Sequence, residues 1–491
     1  MGKSKNSLDL LLVNIGGIGK KVYQELARDF SAIEPPFWAA LTAGFIRNKG
    51  YSVRILDAHA RDLDIEETTK AILSSQPYLT NIVVYGQQPA SSTQLMYGAG
   101  LLCKEIKKED KEAKIILTGL HPSVLPERTI REEECDFVGV GEGFYTLLGL
   151  LQKKDLSKIP GLWYRKGKNI FSNRRAENIQ DLESELSDVA WDLLPMDKYS
   201  AHNWHCLADL DFRNGYASIL TSLGCPFECK FCAIHATFGE RSVRYWSPEW
   251  VLGQIDILVK KYNVKNLKII DELFILNPKH FIPICDGLIK RNYGLNIWVY
   301  ARVDTIKEEY LDRLRQAGFK WLCLGIESGS DEIRKSICKG KFEKADIKNV
   351  VRKIKSAGIN VMGNYMFGLP GDDLEGMQKT LDLAMKLNCE FVNFYSTMAY
   401  PGSELYEEAI RKQIKLPGSW LGFSQHSYEC LPQPTDKLSA GEVLRFRDNA
   451  FNVYFTNPKY LNMVEQKFGV RARRHIEKMA KIKLKRKLLG D

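Results

Sequence analysis

From position 8 to about position 151 the chain alternates short apolar runs with longer amphipathic stretches. LDLLLVNI (8–15), YSVRILDA (51–58), NIVVYG (81–86), KIILTG (114–119) and FVGVGEG (137–143) read as strands. FWAALTAGFIRNKG (37–50) and STQLMYGAGLLCKEIKKED (92–110) read as helices between them. Strands separated in this way predict a parallel sheet covered on both faces, a doubly wound, Rossmann-like domain with ligands at the carboxyl ends of its strands. The regularity fails after about 157, where a small hairpin at 166–169 leads into an extended acidic connector. It resumes at 216 with YASILTS, NLKIIDELF, NIWVYARVD, WLCLGIESG, NVMGNYMFGLPG and FVNFYSTMAYPG, each followed by a helical segment. Six such units are fewer than the eight of a closed barrel, so a partial (β/α)6 TIM-type barrel is expected. The α/β chain thus divides into a first domain at 1–155, a linker or minor subdomain at 156–215, a barrel at 216–410, and a mainly helical extension at 411–491 ending in a basic tail.

Composition narrows the class. A content of 44% hydrophobic and 26% charged residues excludes a disordered chain. The 11 cysteines are odd in number and scattered, and the start lacks an apolar stretch followed by a small-residue cleavage site, so reduced thiols and a cytoplasmic location are expected. No apolar run approaches the ~20 residues of a membrane span. The net charge of +10 is concentrated in RARRHIEKMAKIKLKRKLLGD (471–491), which carries +7 and leaves +3 for the rest. A nearly neutral body argues against a nucleic-acid-binding protein. The tail reads as a solvated helix or as a peripheral contact with an acidic membrane surface, substrate or partner.

The chemistry sits in TSLGCPFECKFCAIHA (221–236), where Cys225, Cys229 and Cys232 fall within eight residues. A structural zinc site takes four protein ligands, commonly as two pairs of two-residue spacing, and no second Cys or His pair lies at finger distance. Three thiolates holding a 4Fe-4S cluster would leave one iron without a protein ligand and open to a small molecule.

This loop, with Phe231 before its last cysteine, resembles that of the radical S-adenosylmethionine (SAM) enzymes. RSVRYWSPEWVLGQI, DELFILNPKHF, ARVD, LGIESGSDEIRKSICKG, MFGLPGD and YPGSELYEEA continue the likeness over about 190 residues. The resemblance implies that Cys225, Cys229 and Cys232 bind the cluster and that its free iron takes the amino and carboxylate groups of SAM. Phe231 would contact adenine. Asp271 and Glu272 stand where the family places its motif for the methionine amine, without the usual two glycines and glutamate. Arg302 and Glu327 would reach the ribose and methionyl ends, and Gly368, Leu369 and Pro370 would let backbone approach the adenine. An electron from a donor such as flavodoxin or ferredoxin would then cleave SAM reductively to a 5'-deoxyadenosyl radical.

The first domain is not a nucleotide-binding unit by motif. In NIGGIGKKV (14–22) a P-loop would need glycine where Asn14 stands and Ser or Thr where Lys21 stands, and a dinucleotide fingerprint would need glycine at Val22. PPFWAALTAGFIRNKGYSVRILDA, LTGLHPSVLPERTI and DFVGVGEG instead resemble the cobalamin-binding domain that often precedes a radical SAM barrel. This implies a corrin docked near Gly119, His121, Gly141, Glu142 and Gly143. The Asp-x-His-x-x-Gly loop that supplies a cobalt ligand elsewhere is missing after the first strand, and DAHARD (57–62) follows the second, so a histidine-free lower face is expected and His59 reads as an ordinary loop residue.

The leading expectation is a cobalamin-dependent radical SAM methyltransferase acting on a small molecule, or a lipid or glycan precursor. A radical oxidative cyclase of the anaerobic magnesium-protoporphyrin monomethyl ester type is the alternative, as is a cobalamin-free radical SAM enzyme whose first domain docks substrate. A methylthiotransferase would need a second cluster in the first domain, where Cys103 and Cys135 have no clustered partners. Cys430, in the aromatic-rich segment after 404, is a further thiol to place.

Overall fold

The computed structural model describes residues 8–27, 29–86, 88–337 and 346–491. In the first unit β1 (Leu10–Asn14), β2 (Val53–Asp57), β3 (Leu79–Val84), β4 (Ile115–Gly119) and β5 (Phe137–Gly139) form a parallel sheet in the order β2-β1-β3-β4-β5. Every residue of β3 and β4 is buried, because helices cover both faces and leave no polar side. The strand order reverses between β1 and β3, which opens a crevice beyond their carboxyl ends. The expected hairpin is present as β6 (Leu162–Lys166) and β7 (Asn169–Ser172), and it pairs antiparallel with β5, extending this sheet to seven strands.

The second unit opens with β8 (Tyr216–Ile219), then a short antiparallel pair, β9 (Ser222–Gly224) and β10 (Val243–Tyr245). It continues through β11 (Asn266–Ile269), β12 (Asn296–Arg302), β13 (Phe319–Glu327), β14 (Asn360–Phe367) and β15 (Phe391–Ser396). These make a six-stranded, all-parallel sheet in the order β15-β14-β13-β12-β11-β8, the partial barrel expected from the sequence. The helices between strands begin where a side chain satisfies their first amides. Ser247 caps Pro248–Tyr262, Asn277 caps Pro278–Arg291 and Asp373 caps Leu374–Leu387. The helices Ala440–Phe455, Pro458–Phe468 and Val470–Ala480 close the chain.

The two units are joined by buried polar bonds as well as by apolar packing. Lys268 of β11, 2% exposed, lies 3.0 Å from both carboxylate oxygens of Glu34, and the linker's Tyr199 hydroxyl donates to Asp57 of the first unit at 2.7 Å. Much of the basic tail is committed internally: Arg486 is buried against Asp448, and Arg471, Arg473 and Lys478 pair with Asp211, Glu465 and Asp29. No helix among the described residues is long and apolar enough to cross a membrane.

Candidate functional site

The carboxyl end of β8 runs into β9, and Gly224 makes the turn into Cys225. At φ +101° it adopts a left-handed conformation, and a Cβ there would lie 2.2 Å from the Ser242 carbonyl oxygen, so no other residue fits. The cysteine loop follows, half-buried at Cys225, Cys229 and Cys232. Burial pushes the Cys225 thiol up to about 12 and the Cys232 thiol well up, with Glu272 and the other cysteines adding in the same direction. Such thiols stay protonated until a cation compensates them, as a bound metal does. Among the described residues no three His, Cys, Asp or Glu side chains are gathered tightly enough to hold a single ion. The cluster assignment therefore rests on donor chemistry: three soft thiols in one loop, which suit an iron-sulfur cluster and leave one iron for another ligand.

Around the loop stand the barrel-mouth residues that the sequence singles out. Arg302, buried at the end of β12, forms a two-pronged pair with Asp304 at 2.9 and 2.8 Å, lies 3.8 Å over the Phe227 ring, and brings a guanidinium nitrogen to 3.9 Å from Cys229 Sγ. Glu327, also buried, ends β13 in the left-handed region at φ +63°, beside a register shift, a conformation that costs a non-glycine residue about 1–3 kcal/mol and that concentrates at functional sites. Asp271 and Glu272 diverge. The Asp271 carboxylate accepts from Thr221 N at 2.6 Å, Thr221 Oγ1 at 2.5 Å and Ser222 Oγ at 2.6 Å, so it fixes the β8–β9 turn. Glu272 faces the open space instead, and burial next to Asp271 pushes its carboxyl up to about 7.

Phe231 packs against the buried cluster of Ile333, Ile337, Met366 and Leu369, close to the GLPG turn. Gly368 has φ +75°, and a Cβ there would strike Val443 of the helix Ala440–Phe455 at 2.6 Å. Its missing side chain thus serves the seat of the C-terminal helix, while the Asp372 carboxylate accepts from its amide at 3.1 Å.

The first domain presents its crevice directly to this mouth. One cavity is lined by Asn14, Trp38 and Tyr85 from the β1 and β3 side, and by Leu220, Ile270 and Glu272 from beyond β8 and β11. Trp38 and Tyr85 stack at 4.6 Å, and Gln88 donates to the Tyr300 hydroxyl across the domains. These aromatic walls carry no sequence signature that separates them from core residues. Gly119, Gly141 and Gly143 sit at strand ends with φ of +127°, +87° and +84°, and a Cβ on Gly119 would lie 2.1 Å from the Val84 carbonyl oxygen. These glycines admit close packing of neighbouring protein atoms, Val84 against Gly119, Arg175 against Gly141 and Thr118 against Gly143, and none of the three lines the cavity.

The two charged candidates of that domain are occupied elsewhere. His121 is fully buried, with Nδ1 3.2 Å from Thr93 Oγ1 and the ring edge-on to Trp420 at 4.5 Å, and burial lowers its pKa to about 3. Glu142 pairs with Arg244 of β10 at 2.7 Å. His59 is exposed, and Cys430 is fully packed among apolar side chains.

Two family descriptions match this chain: B12 binding domain over residues 26–151 and radical SAM superfamily over residues 219–384. An uncharacterized methyltransferase of Pyrococcus horikoshii is 29% identical over 435 residues, covering 87% of this chain and 89% of that one. The anaerobic magnesium-protoporphyrin IX monomethyl ester cyclase of Rubrivivax gelatinosus is 23% identical over 440 residues, 87% of this chain and 75% of that one. The radical SAM methyltransferase TsrM of Kitasatospora setae, solved with cobalamin and a 4Fe-4S cluster, superposes with a TM-score of 0.69 at 17% identity, over 96% of this chain and 99% of that one, and so shares the fold. With the two domains matched in order and their carboxyl edges facing one cavity, the chain carries a B12-binding domain followed by a radical SAM domain, a pairing that implies a 4Fe-4S cluster, SAM and cobalamin as cofactors.

Proposed function

We propose that the protein is a cobalamin-dependent methyltransferase that alkylates an unactivated carbon of a small molecule, or of a lipid or glycan precursor. The observation that carries this reading is the cavity shared by the carboxyl edges of both parallel sheets, each the edge at which its fold binds ligands. When bound, the cluster and SAM supply a radical able to abstract hydrogen from carbon, and cobalamin supplies the methyl group.

The chain's own residues do the rest. Cys225, Cys229 and Cys232 hold the cluster. Glu272 takes the methionine amine, its buried carboxylate stabilised by that positive charge. Arg302, held in place by Asp304, offsets anionic charge at Cys229 and orients the adjacent ligand. Glu327 accepts from the ribose or methionyl end, and Phe231 with the backbone at Leu369 and Pro370 flanks the adenine. Trp38 and Tyr85 wall the space between the domains and keep water from it. The backbone near Gly119, Gly141 and Gly143 would border a bound corrin, to which His121, sealed against Trp420, would offer no ligand. A flavodoxin or ferredoxin delivers the electron.

The test is to produce the protein anaerobically in cobalamin-supplemented cells, measure corrinoid per chain by absorbance, and follow label from methyl-labelled SAM. Near-stoichiometric corrinoid and label transferred to the corrin are expected. Corrinoid without methyl transfer, with oxygen from labelled water entering the product, would replace this reading with the cyclase. An intact cluster with no corrinoid would leave a docking domain.

A further inference from the structure

The segment between the two domains looks featureless in sequence, yet it lies between the glycine-rich turn of the first domain and the cysteine loop. Glu142, between Gly141 and Gly143, is the centre of this contact. One carboxylate oxygen accepts from Arg244 Nη2 at 2.7 Å and the other from the Ile179 amide at 2.8 Å, with the two side chains 4% and 8% exposed. Arg244 also donates to the Ile179 carbonyl, so the pair grips both sides of one peptide segment. Arg244 belongs to β10 and stands opposite Leu223 of β9, two residues before Cys225.

The same segment grips the other end of the loop. Arg175 donates to the Ala236 carbonyl at 3.2 Å and to that of Thr237, and Asn178 donates to the Phe238 carbonyl at 2.7 Å. Those carbonyls belong to the short helix His235–Phe238, which begins three residues after Cys232. The cysteine loop is therefore tied before its first thiol and after its last one to a single strip of linker, and through Glu142 to the first domain.

We propose that Glu142, Arg244, Arg175 and Asn178 form a clamp that sets the position of the cysteine loop relative to the cobalamin domain, acting as positioning residues for group transfer between the two cofactors. The physical need is specific. A misplacement of about 1 Å between two reacting groups can cost about a hundredfold in rate, and β9 and β10 are only three residues long each, too short to hold the loop by themselves. The pair is buried and doubly hydrogen-bonded, and removing one partner strands the other charge in a dry site. The purpose assigned to the clamp rests on the methyltransferase reading; its mechanical role does not.

The experiment compares full-length wild type with Glu142→Gln and Asn178→Ala. Hydrogen exchange of the cofactor-free chain should show segments 174–180 and 223–245 opening together at least about tenfold faster in E142Q. N178A, which removes a partly buried bond and spares the ion pair, should show about threefold faster exchange confined to 236–240, and it carries the test if E142Q does not fold. In the loaded protein the dipolar coupling between cobalt(II) corrin and reduced cluster should change from one distance to a broad distribution in E142Q, at unchanged iron content. Loss of corrin with unchanged exchange at 223–245 would overturn the clamp and make Glu142 a corrin contact. Unchanged exchange and unchanged coupling in both variants would overturn it outright. Should wild type retain no corrin, the methyltransferase reading fails, while the exchange result still decides the clamp.

Discussion

The two faces that meet across the cavity are made of different materials. The barrel mouth gathers ionisable groups under constraint: three thiols in one loop, a carboxyl raised to about 7 at Glu272, a bidentate pair at Arg302 and Asp304, and Glu327 in a left-handed conformation. The facing edge of the first domain is neutral, built from Asn14, the stacked Trp38 and Tyr85, and Gly86. The difference matches what each side is proposed to hold. A cluster and a sulfonium amino acid need donors matched in charge and softness, whereas a corrin needs breadth, bared backbone and dry walls. One face is chemical, the other sterical.

That contrast breaks most sharply at the thiols. Cys229→Ala should reduce 5'-deoxyadenosine formation from SAM under dithionite to background, a loss of at least about a thousandfold, because two ligands cannot hold the cluster. Normal 5'-deoxyadenosine formation in this variant would remove the cluster from the loop and the chemical character from that face.

Behind the sterical face, against the backbone that carries Tyr85, the corresponding lesion is Gly119→Ala. The added Cβ would meet the Val84 carbonyl oxygen at 2.1 Å with φ at +127°, so about 2–4 kcal/mol of stability should be lost as strand ends shift. Denaturant midpoints should fall, and corrinoid content should fall with them while iron content holds. Equal loss of iron would show that the two faces are not separable.

The same difference decides what could be read without a structure. Cysteine ligands must be close along the chain to share one loop, so Cys225, Cys229 and Cys232 announce themselves, and period-two and helical patterns exposed both parallel sheets. The facing wall of the first domain is assembled from the ends of separate strands by residues that look like core or turn, and Trp38 and Tyr85 are as apolar as their buried neighbours. Glu142 and Asp271 stand at positions the motifs single out, but their partners Arg244, Thr221 and Ser222 are fixed by the β9–β10 pair, two strands of three residues that leave no periodicity to detect. The linker is opaque for the same reason: Arg175 and Asn178 act on backbone carbonyls, which have no sequence.

A smaller effect tests whether the first domain is neutral throughout. His121 is sealed under Trp420 and lowered to about 3, so it contributes no charge at any physiological pH. His121→Gln should retain full corrinoid and cost at most about 2 kcal/mol, the value of one buried hydrogen bond and some packing. Loss of corrinoid in that variant would place a ligand beneath the cobalt and give the sterical face a coordinating group.

The smallest effect lies behind that face, where Glu133 meets Trp420. Burial raises the Glu133 carboxyl to about 7, with the Trp420 hydrogen bond opposing. The folded chain therefore keeps a proton that the unfolded chain releases above its ordinary carboxyl range near 4.5. Stability from this group is fully present at pH 4 and is lost as pH rises toward 7. Because the side chain is partly exposed, solvent reduces the effect, and about 1–2 kcal/mol is expected across that interval. Urea midpoints of Glu133→Gln, measured from pH 5 to pH 8 against wild type, should show a flatter profile and a gain at pH 8. A profile parallel to wild type would mean that Glu133 ionises freely and that the back of the first domain is charged, which would weaken the contrast between the two faces.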